Sequence, residues 1–326
     1  MAEFDLIELI RARCAVTRED VRLGIGDDAA LLAVPAGQVV AVSTDTLVSG
    51  IHFPKDTSPH DVGWKSLAVN LSDLAAMGAT PAWATLALTL PQADRGWVGA
   101  FIDGFATLAR EFKLALVGGD TTQGPLTITV TVHGFVPENL ALRRHGAHVG
   151  DAVFVTGTLG DAAAGLRILR DPSFTAENPA ATAMRTALID RLDRPTPRIA
   201  QGLLLRGRAR SCIDVSDGLA ADLGHICQAS GVGAEIDLAK LPASPALFSL
   251  FSDSERVPLQ LAGGDDYELC FTAEAAAADD LLSDLARSGC AATRIGRIVA
   301  EAGVRVLDAS GHPVELPRAG WQHFSS

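Results

Sequence analysis

Little in this chain is basic, aromatic or apolar over a long run, and each shortage removes a class of function. Lys and Arg number 27 against 39 Asp and Glu, a formal charge of −12. Nucleic-acid binders present a basic face to phosphates, so no nucleic-acid partner is expected. No apolar stretch approaches the ~20 residues of a membrane helix. The opening Met1-Ala-Glu-Phe-Asp lacks the basic and apolar regions of a secretory signal. No membrane partner is therefore expected, and a cytoplasmic location is. Five cysteines (Cys14, Cys212, Cys227, Cys270 and Cys290) are scattered without a C-x-x-C pair, which fits buried thiols in a reducing compartment rather than disulfides or a zinc site. Aromatics are 12 Phe, 4 Trp and one Tyr, Tyr267, so the core must rest on Ala, Val, Leu and Ile. Neither the G-x-x-x-x-G-K-[ST] loop nor the H-R-D catalytic loop occurs, which removes the two commonest phosphoryl-transfer architectures.

What is present suits an ordinary globular chain. At 326 residues and 48% hydrophobic, two domains of roughly 150 residues are expected, each able to bury a core. Helices are predicted over 4–13, 61–77, 95–111, 161–170, 217–229 and 274–287. Strands are predicted over 38–43, 113–117, 126–132, 151–155 and 267–272, with two more short ones to about 307. Along 61–77, Trp64, Leu67, Ala68, Leu71 and Ala75 fall on one helical face, with Ser66, Asn70, Asp73 and Met77 opposite. Residues 126–132 alternate apolar residue and threonine, the mark of a sheet with one apolar face. Ser216 or Asp217 is the expected N-cap of 217–229, 172–183 is expected to be a loop, and 240–258 is rich in Pro and Ser. A connector at 137–150 sets expected domain bounds of 1–137 and 147–326. Without a regular β-α-β-α alternation, the fold class expected is α+β (mixed α/β).

Aspartates recur at Gly-, Ser- and Thr-rich junctions: Gly26-Asp27-Asp28, Ser43-Thr44-Asp45-Thr46, Ser72-Asp73, Gly119-Asp120-Thr121, Asp214-Val215-Ser216-Asp217-Gly218 and Gly264-Asp265-Asp266. Any one of them is explained as a turn or cap. Together they would repel unless cations offset them, and all-oxygen donors without His or Cys suit Mg²⁺, which shares its shell with phosphates. A Mg-dependent nucleotide enzyme follows. Gly24-Ile25-Gly26-Asp27-Asp28-Ala29 matches G-x-G-x-x-A in form, but two acids would face a pyrophosphate, and Pro35 and Gly37 cut the segment before a helix forms. The dinucleotide reading is rejected. Thr156–Gly160 is a strand-loop-helix turn whose glycines suit either a phosphate cradle or tight packing.

At these same residues the chain resembles the thiamine-monophosphate kinases, within the aminoimidazole-ribonucleotide-synthetase-like superfamily. The segments are GIGDDAALL (24–32), STDTLVSGIHF (43–53), KSLAVNLSDLAAMGATP (65–81), VGGDTTQGPL (117–126), GDAVFVTGTLGDAAAGL (150–166), IDVSDGLAADLGHI (213–226) and GGDDYELCF (263–271), in the family's order over nearly the whole chain. The resemblance implies ATP-dependent, Mg-assisted in-line phosphorylation of thiamine monophosphate to thiamine diphosphate, the last step in making that cofactor. It further implies several Mg²⁺ ions, an N-terminal domain that binds ATP and Mg²⁺ and dimerises through its sheet, and a C-terminal α+β domain. Asp28, Ser43, Thr44, Asp45, Asp73, Asp120, Asp214 and Asp217 match metal positions. Gly119, Asp120, Arg144 and Ser216 match ATP positions, and His52, Asp265 and Trp321 match substrate positions.

The acceptor phosphate, with a second pKa near 6, is largely ionised at neutral pH, so no general base is obligatory. Asp120, Arg144 and Asp217 are the residues expected nearest the chemistry, with metal and Arg144 offsetting repulsion between the anions. Trp321 offers an aromatic face to a cationic ring. Two departures stand out. The family usually carries Glu where this chain has Asp265, which retracts the carboxylate by about 1.5 Å, and His145 replaces a small residue after Arg144. The rivals are a sister synthetase activating another oxygen with ATP, and a non-catalytic Mg-nucleotide regulator. A selenophosphate synthetase would need an N-terminal Cys in a Gly-rich loop, but Cys14 sits in Arg-Ala-Arg-Cys. A regulator predicts lost metal ligands, yet every acidic position is filled.

Overall fold

A computed structural model of the chain describes residues 3–171, 173–175, 178–314 and 320. The chain forms two compact units, Met1–Leu74 with Ala79–Ala141 and Ala75–Gly78 with Leu142–Ser326.

The first unit opens with α1 (Glu3–Arg13) and a small antiparallel pair, β1 (Val21–Leu23) and β2 (Leu31–Leu32). No helix follows Gly24–Ala29, which removes the structural context of a dinucleotide fingerprint. Then come β3 (Gln38–Val48), α2 (Pro59–Ala76), β4 (Thr80–Leu90), α3 (Arg95–Glu111), β5 (Ala115–Gln123) and β6 (Thr127–Pro137). The four long strands form a mixed sheet in the order β3-β6-β4-β5, antiparallel except for β4 with β5. As the alternation in 126–132 requires, Ile128, Val130 and Val132 are buried while Thr127, Thr129 and Thr131 are half-exposed.

Helix α2 is buried nearly all round, Ser66, Asn70 and even Lys65 being 1% exposed. The polar side of 61–77 is therefore not a solvated face. Helices α2 and α3 meet backbone to backbone: a Cβ on Gly63 would lie 1.9 Å from the Phe101 carbonyl oxygen, and one on Gly104 1.9 Å from that of His60. Asp94 caps α3 by accepting from the Gly96 and Trp97 N–H groups.

The second unit continues with β7 (Ala152–Thr156), α4 (Asp161–Arg170), α5 (Pro179–Asp193), α6 (Ile199–Leu205), β8 (Ser211–Asp214), α7 (Leu219–Ser230) and β9 (Gly233–Asp237). It ends with α8 (Pro245–Leu250), α9 (Asp253–Ala262), β10 (Leu269–Ala273), α10 (Ala278–Arg287), β11 (Ala292–Val299) and β12 (Gly303–Leu307). Its six-stranded sheet runs β12-β9-β11-β7-β10-β8, with β12 and β9 parallel and the other pairs antiparallel. Val153, Val155, Ile213, Leu223, Ile226 and Ile236 form its main core. Both units mix helices with mixed or antiparallel sheets, the α+β class.

Several local expectations are corrected. The loop at 172–183 gives way to α5 from Pro179, because Asn178 accepts from the Ala181 N–H and Pro179 occupies the first turn. The 240–258 stretch holds α8 and most of α9, started by Ser244 accepting from the Leu247 N–H and by a Ser252–Glu255 capping box. The strand at 38–43 runs on to Val48, and residues 80–90, left unassigned from sequence, form β4. Among the described residues no helix is long and apolar enough to cross a membrane.

Candidate active site

In the first unit, β3 and α2 bring Ser43 and Asp45 to the side of the sheet that holds Asp73, while Thr44, between them on the strand, faces the other side. Ser43, Thr44 and Asp45 lie on β3 and Asp73 on α2. The Ser43 hydroxyl donates to Asp73 Oδ2. Asn70, one turn before Asp73, accepts the Asp45 backbone N–H at 3.1 Å and donates to the Ser66 carbonyl at 3.0 Å. A buried carboxamide needs such partners, so the polar stripe of α2 is a brace for β3. Asn70 is a site residue that the sequence reading left without a role. Its signal was the spacing, three residues before Asp73 on the same helical face. Thr44 Oγ1 shares a hydrogen bond with Thr131 across the strand pair, 2.9 Å.

The remaining residues of this unit stand on loops and a strand end. Asp27 and Asp28 are exposed between β1 and β2. Asp27 accepts the Asp28 N–H at 2.9 Å, so its part is to shape the loop. Asp120 is exposed, but Gly118-Gly119-Asp120 is no turn: β5 runs through it with a register shift opposite Ala84 and Thr85. Gly119 is required there, since a Cβ would lie 1.9 Å from the Leu86 carbonyl oxygen. His52 is half-buried, and its Nδ1 accepts the Val48 N–H at 2.9 Å. That bond leaves Nδ1 without a proton and favours the neutral ring protonated on Nε2.

The second unit holds Asp214 at the end of β8 and Ser216 and Asp217 on the loop into α7. The expected cap is reversed. Gly218, at φ +122°, is the N-cap without a side-chain bond. Asp222, the fourth residue of α7, instead reaches back: its Oδ2 accepts the N–H groups of Ser216, Asp217 and Gly218 at 3.0, 3.1 and 3.2 Å. Burial pushes its pKa up to about 7, against the pull of those hydrogen bonds. Asp222 was not singled out from sequence, and one chain offers no spacing rule that would find it.

The neighbouring loop, Gly263–Glu268, is zipped to this one. The Asp265 and Tyr267 N–H groups donate to the Ser216 and Val215 carbonyls, and the Val215 N–H to that of Glu268, at 2.9, 2.8 and 2.7 Å. Glu268, wholly buried, accepts from Arg198 through Nε and Nη2 at 2.6 and 2.5 Å, from Arg191 at 2.9 Å and from Thr156 Oγ1 at 2.7 Å. This fork-shaped pairing is the strong geometry for a guanidinium. A Cβ on Gly157 would fall 2.2 Å from Glu268 Oε1, and one on Gly160 2.9 Å from the Gln260 nitrogen. Packing thus accounts for the glycines of Thr156–Gly160. Asp265 is half-buried, Arg144 is exposed, and Trp321 lies outside the described residues.

The donors fit Mg²⁺ by their chemistry, being carboxylates and hydroxyls without His or Cys. Among the described residues no three His, Cys, Asp or Glu side chains stand together as a set able to hold an ion.

The AIR synthase related protein family matches in both parts, its N-terminal domain at residues 26–136 and its C-terminal domain at 148–309. The thiamine-monophosphate kinase of Escherichia coli K12 is 49% identical over 99% of this chain and 98% of its own length. The chain belongs to the thiamine-monophosphate kinase family. The Bacillus subtilis member is 37% identical over 99% of this chain and all of its own. The crystal structure of the Stenotrophomonas maltophilia K279a member has a TM-score of 0.87 at 52% identity, covering 94% of this chain and 96% of that one. A structure described as AaThiL complexed with AMPPCP and TMP has a TM-score of 0.77 at 34% identity, covering 99% and 97%. The hydrogenase maturation protein HypE of E. coli, TM-score 0.78 at 22% identity, shares the fold.

Proposed function

We propose that this chain transfers the γ-phosphoryl group of ATP to the phosphate of thiamine monophosphate, releasing ADP and thiamine diphosphate. The observation that carries the reading is the family member 34% identical over 99% of this chain that holds AMPPCP, an ATP analogue, together with TMP. The residues of the family's motifs are in place in this sequence apart from Asp265, which replaces Glu, and His145, which replaces a small residue after Arg144.

In this reading Asp28, Ser43, Thr44, Asp45, Asp73, Asp120, Asp214 and Asp217 hold Mg²⁺, which neutralises charge on the transferring phosphoryl group. Gly119, Asp120, Arg144 and Ser216 hold ATP, and His52, Asp265 and Trp321 hold thiamine monophosphate. The chain's own work is positioning. Asn70 holds the Asp45 backbone N–H, Asp73 orients the Ser43 hydroxyl, and Asp222 locks Ser216–Gly218. Fixed donors of this kind need no reorganisation during the reaction. An acceptor already ionised needs no base, so none is assigned. Residues 1–137 serve ATP, Mg²⁺ and dimerisation, residues 147–326 form the second domain, and the enzyme works as a cytoplasmic homodimer.

The test is to incubate the purified chain with ATP, Mg²⁺ and thiamine monophosphate and separate the thiamine esters by chromatography. Thiamine diphosphate should form, and both EDTA and Asp73→Asn should abolish it. ADP and free phosphate without thiamine diphosphate would return the reading to a sister synthetase. Binding of MgATP without turnover would return it to a regulator.

A further inference from the structure

The chain's one tyrosine lies two residues from Asp265, on the segment Asp265–Glu268. Its side chains alternate in role. Asp266, 1% exposed, turns inward so that Oδ2 accepts the Gly160 N–H at 2.8 Å, and Glu268 is clamped by Arg191, Arg198 and Thr156. Alternating with these anchors, Asp265 and Tyr267 both adopt left-handed backbone, at φ +69° and +50°. Such a conformation is unfavourable for a residue with a Cβ, and a bulky aromatic is an uncommon occupant. These anchors and the bonds to Ser216 and Val215 hold it in place. The result is specific. The Tyr267 ring is buried and its hydroxyl donates to Asp265 Oδ1 at 3.1 Å.

Asp265 also suits this backbone better than a longer acid would, because Asp is among the few residues that visit the left-handed region readily. A short carboxylate, a strained loop and a buried hydroxyl aimed at that carboxylate form one device. We propose that Tyr267 is a positioning residue for substrate recognition, its hydroxyl orienting the Asp265 carboxylate toward the cationic or amino-bearing ring of the acceptor. The inference rests on the kinase reading above and adds a specificity residue to it.

The experiment is steady-state kinetics of the full chain carrying Tyr267→Phe, with Asp265→Ala and the double variant alongside. Loss of one hydrogen bond is worth about 0.5–1.5 kcal/mol, so KM for thiamine monophosphate should rise about 2- to 10-fold. The same variant should leave kcat within about twofold and KM for ATP unchanged, with a thermal midpoint close to that of the wild type. In the Asp265→Ala background, Tyr267→Phe should change nothing further, as required if it acts through that carboxylate. An unchanged KM for thiamine monophosphate in Tyr267→Phe, or an equal effect with and without Asp265, overturns the positioning role alone. A wild-type chain that forms no thiamine diphosphate overturns the kinase reading and this role with it.

Discussion

The acidic loops of the two units use the same residue type in opposite ways. Between β1 and β2 and on β5, Asp28 and Asp120 stand exposed at the surface of the first unit. In the second unit Asp222, Asp266 and Glu268 are buried and accept from backbone N–H groups, arginines and a threonine, with Asp266 Oδ1 left as a buried oxygen without a hydrogen bond. A carboxylate can accept about four hydrogen bonds. When the fold uses that capacity, the group has become part of the scaffold; where solvent takes it, a metal or phosphate-bound cation can replace the solvent. For these five residues the distinction separates acids that would meet ligand from those that hold their neighbours still, and it is invisible in composition; Asp214, buried yet assigned to metal, is not sorted by exposure alone.

The largest break in that contrast is at Glu268. Glu268→Leu removes a buried anion while leaving Arg191 and Arg198 facing apolar surroundings. Breaking a buried pair from one side costs about 3–5 kcal/mol. The midpoint of urea unfolding should fall accordingly, and a loss under about 1 kcal/mol would mean that solvent already reaches both guanidinium groups.

Asp222 comes next. Asp222→Ala strands three N–H donors, and a destabilisation of about 1–3 kcal/mol is expected, together with weakened MgATP binding as the Ser216–Gly218 loop loosens. Asp28→Asn, on the exposed side of the comparison, should shift stability by less than about 0.5 kcal/mol while raising the Mg²⁺ concentration needed for half-maximal activity. Calorimetric binding of MgATP and urea melts of both variants would check this. Equal stability losses in the two would erase the distinction between scaffold acid and ligand acid.

How much of this was legible beforehand varied with the kind of interaction. The threonine alternation of β6 and the apolar face of α2 follow from periodicity alone, and the structure keeps both. Strand β4 was missed because Thr80–Leu90 is rich in Ala and Leu, good helix formers, and its strand character comes from lying between β5 and β6. Helix α5 has its signal in Asn178 before Pro179, but a Pro-containing polar stretch predicts a loop. The site residues written into ordered motifs could be named. Asn70 had a signal in its spacing from Asp73, whereas Asp222, Glu268 and Tyr267 act through partners distant in sequence or through a folded-back loop, and no spacing in one chain encodes that.

The smallest effect expected is a difference in sign. Asp20, hydrogen-bonded by Arg18 and by the Trp83 indole, has its pKa lowered chiefly by the Arg18 bond. Its contribution to stability is present above the ordinary carboxylate pKa and is lost as pH falls through the lowered one. Asp266 and Asp161 have theirs raised, in each case chiefly by burial. For them the folded chain holds a proton that the unfolded chain has already released, so stability declines as pH rises from 3.8 toward the raised values. Acidification should therefore weaken the Asp20 contribution while strengthening those of Asp161 and Asp266. Asp20→Asn should flatten the acid limb of a stability-against-pH curve, and Asp266→Asn the decline above it. Parallel curves for the wild type and both variants would show that these carboxylates titrate alike in the folded and unfolded chain, and that burial in the second unit sets geometry without setting charge.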